Sequence, residues 1–286
     1  MRNNRLISYI VVSIVYILAT LAGVGVYLWL PFSFWVNLLL ADIAATVVTF
    51  IFSVLFRNAS VYDPYWSVQP IVIGIAFAIG GKATVAGWML LSVVIVWGVR
   101  LTANWAYTFD GMDHQDWRYT MLKEKTGAWY PLINFIGIHM VPTLVVYGCI
   151  LPLVFVLHYG ARVNAYNIVF AAVSLLAVVL QGTSDVQMHR FRKAKKEGKA
   201  EGFIRVGLWK YARHPNYLGE ILMWWGIGLA TVALMPEWWY LLAGAVANTL
   251  LFTFVSIPMA DGRQSKKEGF DEYKRQTRVL VPLVKR

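Results

Sequence analysis

Stretches of about 20 apolar residues recur along almost the whole chain, and this feature limits the possible fold most strongly. About 20 residues of α-helix cross a hydrocarbon layer roughly 30 Å thick. Hydrophobic residues make up 58% of the 286 residues and charged residues only 14%, whereas soluble domains carry roughly 25% charged residues. We therefore predict an all-α, polytopic transmembrane helix bundle without a separate soluble domain.

The apolar stretches predict eight spans. Seven is the alternative, because the third stretch is short and the last pair is compact. Short and long connections alternate along the chain, so they are expected to lie on opposite sides of the membrane. The predicted spans lie near residues 7–30, 34–56, 67–80, 84–108, 131–157, 164–186, 218–235 and 238–258, and the long connections are 57–66, 109–130, 187–217 and the tail from 259.

Positive charge is distributed very unevenly between the two kinds of connection. The short connections hold only Lys82 and Arg162, which leaves 24 of the 26 Lys and Arg residues on the other side. By the positive-inside rule that side is the cytoplasm, and both chain termini lie there. The net charge of +11 is thus accounted for by topology and contact with membrane lipids, and we predict no nucleic-acid partner.

Four ionisable side chains lie within predicted spans: Asp42, Arg100, Asp185 and Glu220. Each costs about 2.5–3.5 kcal/mol on insertion scales, so each is a functional hypothesis. The last three lie toward the cytoplasmic side, which predicts a polar cavity open to the cytoplasm. Asp42 lies apart, and a purely structural role is equally compatible with its position.

Polar and aromatic residues are densest in residues 207–220, GLWKYARHPNYLGE. Pro215 suits the first turn of a helix, and Asn216 and Glu220 then share one helix face. The helix start and Arg213 together offer an anion site. A nucleotide fits these residues, because its rings can stack on Tyr and Trp, its phosphates can bind Arg and Lys, and a carboxamide can bind Asn216 and Glu220. The glycine-rich fingerprint of soluble dinucleotide sites is absent. We predict a nucleotide held between helices.

Further polar groups at the cytoplasmic ends of spans can complete this pocket, although a solvated helix end and a charged tail are the simpler alternatives. One set of these residues lies before residues 207–220 at helical spacing, and the other set lies in the C-terminal tail. They are Gln181, Asp185, His189 and Arg192, and then Asp261, Arg263, Tyr273 and Arg278.

We predict no metal site. His189 and His214 do not show the i, i+4 pairing with a third ligand that a helical metal site requires. His114 stands among three aspartates, but an acidic loop of this kind is usually only solvated. The single Cys149 cannot form a disulfide within the chain.

The stretch from 207 to 220 resembles the C-terminal signature of the steroid 5-alpha-reductase family, in the bacterial branch labelled DUF1295, and is similar to sterol reductases related to the lamin B receptor. The segments DVQMHRFR at 185–192 and FDEYKRQTRVLVPL at 270–283 support it. The resemblance covers roughly the last 110 residues, and the first 130 match only in outline. It implies an enzyme of the bacterial inner membrane that uses NADPH to reduce a carbon–carbon double bond conjugated to a ketone.

The resemblance implies roles by position within one membrane domain, with substrate-side helices in 1–130 and cofactor-binding helices in 164–286. Asn216 and Glu220 would hold the nicotinamide end, and Arg205 the 2′-phosphate. The remaining implied cofactor contacts are Gln181, Asp185, Arg192, Tyr211, Arg213, His214, Tyr217 and Arg263. The substrate would be a lipophilic molecule, steroid-like or another lipid, that enters from the bilayer.

Family members also polarise the substrate ketone with an acid on an early helix and a tyrosine on the next. The resemblance matches the acid to Asp63, which would have to be protonated, and the alternative is a polar loop residue before Pro64. Trp97 stands near the place of the tyrosine and cannot protonate an enolate. Tyr65 or Tyr107 would then substitute for it.

Two other functions compete with the reductase. A membrane methyltransferase similar to isoprenylcysteine carboxyl methyltransferase, which binds S-adenosylmethionine, also fits Arg213, His214 and Tyr217. Asn216 followed by Glu220 favours the reductase. A transporter or lipid-binding scaffold would need no cofactor, but no inverted repeat supports it. The sequence leaves the oligomeric state open and is compatible with a monomer.

Overall fold

The computed structural model describes residues 4–283, and within this range the chain is helical with no strand, apart from one isolated bridge between Ala212 and Arg278. This confirms the predicted all-α class. The predicted cytoplasmic position of the chain ends concerns residues 1–3 and 284–286, which lie outside the described range. The first seven helices are α1 Arg5–Trp29, α2 Phe34–Leu55, α3 Tyr65–Gly80, α4 Val85–Thr108, α5 Trp117–Thr126, α6 Tyr130–Ile133 and α7 Val141–Tyr159.

The remaining helices follow in the second half of the chain, and single turns or π-helical segments join several of them. A π-helical segment, Asn134–Met140, links α6 to α7, and another, Phe252–Ser256, links α10 to α11. The helices are α8 Ala165–Lys196, α9 Pro215–Leu234, α10 Ala243–Leu251, α11 Ile257–Gln264 and α12 Phe270–Gln276.

The chain forms two compact units. Residues 1–76 and 98–151 belong to unit 1, and residues 77–97 and 152–286 belong to unit 2. Each unit is described below by itself.

Seven helical stretches of the described chain are long and apolar enough to cross a membrane, which makes this an integral membrane protein. The predicted third span is the exception, since α3 has only 16 residues. The seven stretches are Arg5–Trp29, Phe34–Leu55, Val85–Thr108, Trp117–Tyr159, Ala165–Lys196, Pro215–Leu234 and Pro236–Gln264.

The first helix shows how these elements meet lipid. Asn4 caps α1, because its side-chain oxygen accepts hydrogen bonds from the N–H groups of Leu6 and Ile7. Large apolar side chains spaced three or four residues apart are exposed, among them Ile10, Ile14 and Ile17. In water this face would be a large unfavourable patch, so it is a face for acyl chains.

In unit 2, α8 and α9 approach closely because two residues of α9 at their contact are glycines, which have no side chain. A Cβ atom at Gly219 would lie 2.7 Å from the carbonyl oxygen of Ala177, and one at Gly226 would lie 2.9 Å from that of Phe170. Small residues at a helix interface let backbones come together without a hydrophobic driving force. This contact fixes the position of the first turns of α9 against α8.

Two helix boundaries differ from the predicted ones. The predicted connection 109–130 contains α5, so the helical stretch begins at Trp117 instead of near residue 131. The predicted connection 187–217 begins too early, because α8 continues to Lys196. Both extensions are polar, and polar helical turns carry no apolar pattern. By contrast, α9 begins at Pro215, as predicted.

The connection before α3 is more buried than a solvated loop. Residues 58–62 are all buried, and residues Ala59–Tyr62 form a 3₁₀ turn. The Asn58 amide donates to the carbonyl oxygens of Met112 at 2.7 Å and His114 at 3.1 Å. These bonds hold the segment that leads to Asp63 and Tyr65.

Candidate functional site

The Glu220 carboxylate is the centre of a buried polar cluster in unit 2. It accepts hydrogen bonds from Trp97 Nε1 at 2.9 Å, Gln181 Nε2 at 2.7 Å and Trp224 Nε1 at 2.9 Å. Glu220 is 5% exposed, and Trp97 and Gln181 are almost fully buried. Three donors from α4, α8 and α9 thus fix this carboxylate in one orientation.

Asn216 lies one turn before Glu220 on α9, as its spacing predicts. Its Oδ1 atom is buried and has no hydrogen-bond partner among the described residues. A buried amide oxygen without a partner costs about 1–3 kcal/mol. This oxygen therefore identifies a place where a ligand with an N–H or O–H donor would be stabilised.

Arg213 and His214 both bind Asp261, which the sequence placed in the tail. Arg213 Nη2 lies 3.2 Å from Asp261 Oδ2, and His214 Nε2 lies 2.9 Å from Oδ1. The His214 ring is stacked on Tyr217, with centroids 5.1 Å apart and planes at 4°. Because an internal acid already neutralises Arg213, this residue is less available to a phosphate than the sequence suggests.

The tail runs beside residues 211–214 and closes this part of unit 2. The N–H groups of Arg213 and His214 donate to the carbonyl oxygens of Arg278 and Val279, each at 3.0 Å. Tyr273 donates from its hydroxyl to the carbonyl oxygen of Trp209. Burial of the hydroxyl is the main cause that raises the pKa of Tyr273 to about 12. The tyrosine is therefore a neutral donor at neutral pH.

Positive charge is concentrated where α8 ends and α11 passes into the tail. Burial is the main cause that lowers the pKa of Lys267, and the positive charges of Lys195, Arg263 and Arg192 lower it further. Such repulsion means that the four cations lie near each other. A phosphate group would relieve it, since it binds several cations at once.

The other predicted cofactor residues of unit 2 lie around these groups. One stripe of α8 passes from buried Gln181 through half-buried Asp185 to exposed Arg192. The Arg205 guanidinium lies 4.3 Å from the ring centroid of Phe203. Tyr211 is partly exposed and contacts the Lys210 ammonium. Arg192, Arg205 and Tyr211 are exposed and thus accessible to a ligand.

Asp63 lies in unit 1 beside two residues of α5. Tyr119 donates to its Oδ1 at 2.5 Å, and Arg118 Nη2 lies 3.9 Å from the same atom. Burial raises the pKa of Asp63 to about 6, although the positive charge of Arg118 opposes the shift. A pKa of about 6 leaves the protonated form of Asp63 a minority at neutral pH, and its role as a proton donor stays a prediction.

A second pair of an acid and a tyrosine lies in unit 1. Tyr65, the first residue of α3, donates from its hydroxyl to Asp42 Oδ1 at 3.0 Å, and Gln69 Nε2 donates to Oδ2 at 2.6 Å. Asp42 and Tyr65 are both buried. The sequence left Asp42 apart from the site, and the structure places it in direct contact with a predicted catalytic residue.

Three or more metal-ligating side chains do not come together anywhere in residues 4–283. Within these residues, the geometry therefore consists of a carboxylate and amide on α9, a group of cations at the end of α8, and two acid–tyrosine pairs.

A family model described as "Protein of unknown function (DUF1295)" matches residues 49–277. The chain belongs to the DUF1295 family. An uncharacterized protein of Schizosaccharomyces pombe is 26% identical over 216 residues, which cover 67% of this chain and 62% of the relative. The chain thus spans less than two thirds of the length of that relative.

The DUF1295 match includes every predicted cofactor residue and Asp63, Tyr65 and Trp97, whereas Asp42 precedes it. It confirms the DUF1295 label named by the resemblance, and membership of the wider steroid 5-alpha-reductase family stays a prediction. Trp97 lies in unit 2, where its N–H binds Glu220. These two residues are 123 positions apart, and no sequence pattern connects them.

Asp63 gives the DUF1295 protein a testable pH dependence. Its pKa is higher in the folded protein than in the unfolded chain, where it is about 3.9, so the folded state binds more protons. Its contribution to stability is therefore largest below pH 4, falls between about pH 4 and pH 6, and stays low above that range.

We expect the Asp63→Asn variant to gain stability relative to the wild type as the pH rises from 4 to 7, by about 2 kcal/mol. The measurement is the difference in Tm between the two proteins in detergent. The exposed Asp113→Asn variant is the control and should show no such change. Parallel Tm curves for Asp63→Asn and the wild type would contradict the assignment.

Proposed function

We propose that the protein is a membrane-embedded, NADPH-dependent reductase of a carbon–carbon double bond conjugated to a ketone in a lipophilic substrate. The observation that carries the proposal is the buried Asn216 Oδ1 without a partner, one turn before the fixed Glu220 carboxylate. A carboxamide on an aromatic ring offers an N–H donor for the Asn216 oxygen.

The residues present fit the remaining parts of NADPH. Arg192, Lys195, Arg263 and Lys267 would bind phosphate groups, because their mutual repulsion falls when an anion binds. Tyr211, which is partly exposed, would contact a planar ring. Arg213 and His214 would take part through their shared Asp261, as residues that fix the shape of the pocket and not as free cations.

NADPH would supply a hydride to the β carbon of the enone. As the double bond breaks, negative charge develops on the ketone oxygen, and a hydrogen-bond donor there lowers the barrier. We assign this donation to Tyr65, whose hydroxyl would give up its hydrogen bond to Asp42 Oδ1 in order to donate to the ketone. Protonated Asp42 would return a proton to Tyr65, and the resulting enol would become the saturated ketone.

Asp63 would act as a positioning residue in this scheme. It precedes Tyr65 by two residues and is held by Tyr119, so it fixes the segment from which the α3 tyrosine projects. The sequence prediction instead gave the role of the acid to Asp63 and did not include Asp42 in the site.

The decisive experiment is ligand binding by the purified protein in detergent, followed by thermal shift. NADPH at about 100 times its Kd should stabilise the folded state by about 2.7 kcal/mol, a rise of several degrees in Tm. S-adenosylmethionine is the comparison ligand. Stabilisation by S-adenosylmethionine alone would overturn the reductase and favour the methyltransferase.

A further inference from the structure

A pocket of about 160 Å³ lies in unit 1, at the end of α2, and takes no part in the proposed reaction. It is formed by the residues after α2, by α5 and by the start of the π-helical segment. One water molecule needs roughly 10–15 Å³ of such space, so the pocket is large enough for a small polar group with several heavy atoms.

One wall of the pocket has a buried acceptor without a partner. Asn134 is 5% exposed, and its Oδ1 atom makes no hydrogen bond with any residue in 4–283. Its Nδ2 atom has only a 3.5 Å contact with Ser53 Oγ. The hydroxyl of Tyr130, which also lines the pocket, is likewise buried without a hydrogen-bond partner in this range. A ligand with a hydroxyl or ammonium donor would satisfy both groups.

Two cations also line the pocket. Arg57 and Lys123 line the pocket, both are exposed, and neither has an acidic partner among the residues that the structure describes. Arg57 has a φ of 53°, the left-handed conformation that commonly ends a helix, here just after α2. Two cations at one opening favour an anion with more than one acceptor oxygen.

Apolar residues complete the opening. Val54 and Pro131 line the same pocket and are exposed, and Val54 belongs to a membrane-spanning helix. The pocket therefore opens where a lipid headgroup lies, on the side that the charge distribution predicts to be cytoplasmic.

We propose that this pocket binds a phosphate ester that carries a hydroxyl or ammonium donor. Arg57 and Lys123 bind the phosphate, and Asn134 and Tyr130 bind the donor end. A phospholipid headgroup and a soluble glycerol phosphate share this chemistry, so the experiment separates the two sources.

The test is native mass spectrometry of the full chain purified in detergent with phosphatidylglycerol or phosphatidylcholine, together with thermal shift in millimolar glycerol 3-phosphate. We expect retention of one phosphatidylglycerol molecule and an at least tenfold loss of apparent affinity in the Arg57→Gln/Lys123→Gln double variant. The exposed Lys125→Gln variant, on the same helix as Lys123, is the matched control and should bind like the wild type.

If the soluble ester is the ligand, glycerol 3-phosphate will raise Tm and the double variant will lose that rise. Asn134→Leu provides an independent variant, because it removes the acceptor for the donor end of the ligand and should weaken binding of either ligand. Equal binding by the wild type and both variants, or no specific binding of either ligand to the wild type, overturns the site. None of these readouts depends on NADPH or on reductase activity.

Discussion

Replacing Asn216 by leucine is expected to weaken NADPH binding about 100-fold, a loss of about 2.7 kcal/mol, while the protein stays folded. The amide oxygen makes no hydrogen bond within the described chain, so its removal leaves no protein donor unsatisfied. The cofactor, by contrast, would lose the acceptor for a buried donor. Isothermal calorimetry or thermal shift with NADPH measures the effect.

The matched control is Asn248→Leu. Asn248 is a buried asparagine of unit 2, and its Nδ2 atom, like Asn216 Oδ1, has no hydrogen-bond partner among residues 4–283, but it is not assigned to the cofactor site. It should retain wild-type affinity for NADPH. If Asn216→Leu binds NADPH as tightly as the wild type, the assignment of the nicotinamide end is wrong.

Replacing Glu220 by leucine is expected to lower the stability of the protein in the absence of any ligand. The change leaves the N–H donors of Trp97, Gln181 and Trp224 buried without their acceptor. Hydrogen bonds between helices in membranes average only about 0.6 kcal/mol, and stranded buried donors cost more. We expect a total loss of about 2–3 kcal/mol, or roughly 5–10 °C in Tm.

Glu220→Gln keeps one acceptor oxygen and should lose less stability than Glu220→Leu. The exposed Glu237→Gln variant controls for removal of a carboxylate from the same unit and should leave Tm unchanged. A wild-type Tm for Glu220→Leu would show that the three hydrogen bonds contribute little. Because this experiment contains no cofactor, it tests the geometry of the cluster separately from the proposed reaction.

The fold was largely predictable because the constraint behind it is simple. A span must remove about 20 residues from water, and such runs are visible in any window of the sequence. The parts that were mispredicted are helical turns outside lipid, such as α5 and the end of α8. Their sequences, WRYTMLKEKT and RKAKK, have no apolar pattern, so only packing and capping determine that they are helical.

The candidate site was predictable where its residues share a helix. Asn216 and Glu220 were paired by their spacing, and Trp224, four residues after Glu220, could have been added by the same argument. Contacts that form only through tertiary packing could not be predicted from the sequence. Tyr119 is 56 positions from Asp63, and Asp42 is 23 from Tyr65, and no local pattern connects either pair.

The backbone hydrogen bonds between residues 213–214 and residues 278–279 have a consequence for synthesis. During translation, residues 213–214 are made more than 60 residues earlier than residues 278–279, so their N–H groups lack these partners until then. A chain interrupted before residue 278 would keep its spans but would lack the backbone hydrogen bonds at Arg213 and His214. The two backbone hydrogen bonds beside Arg213 can therefore form only after residue 279 has been synthesised.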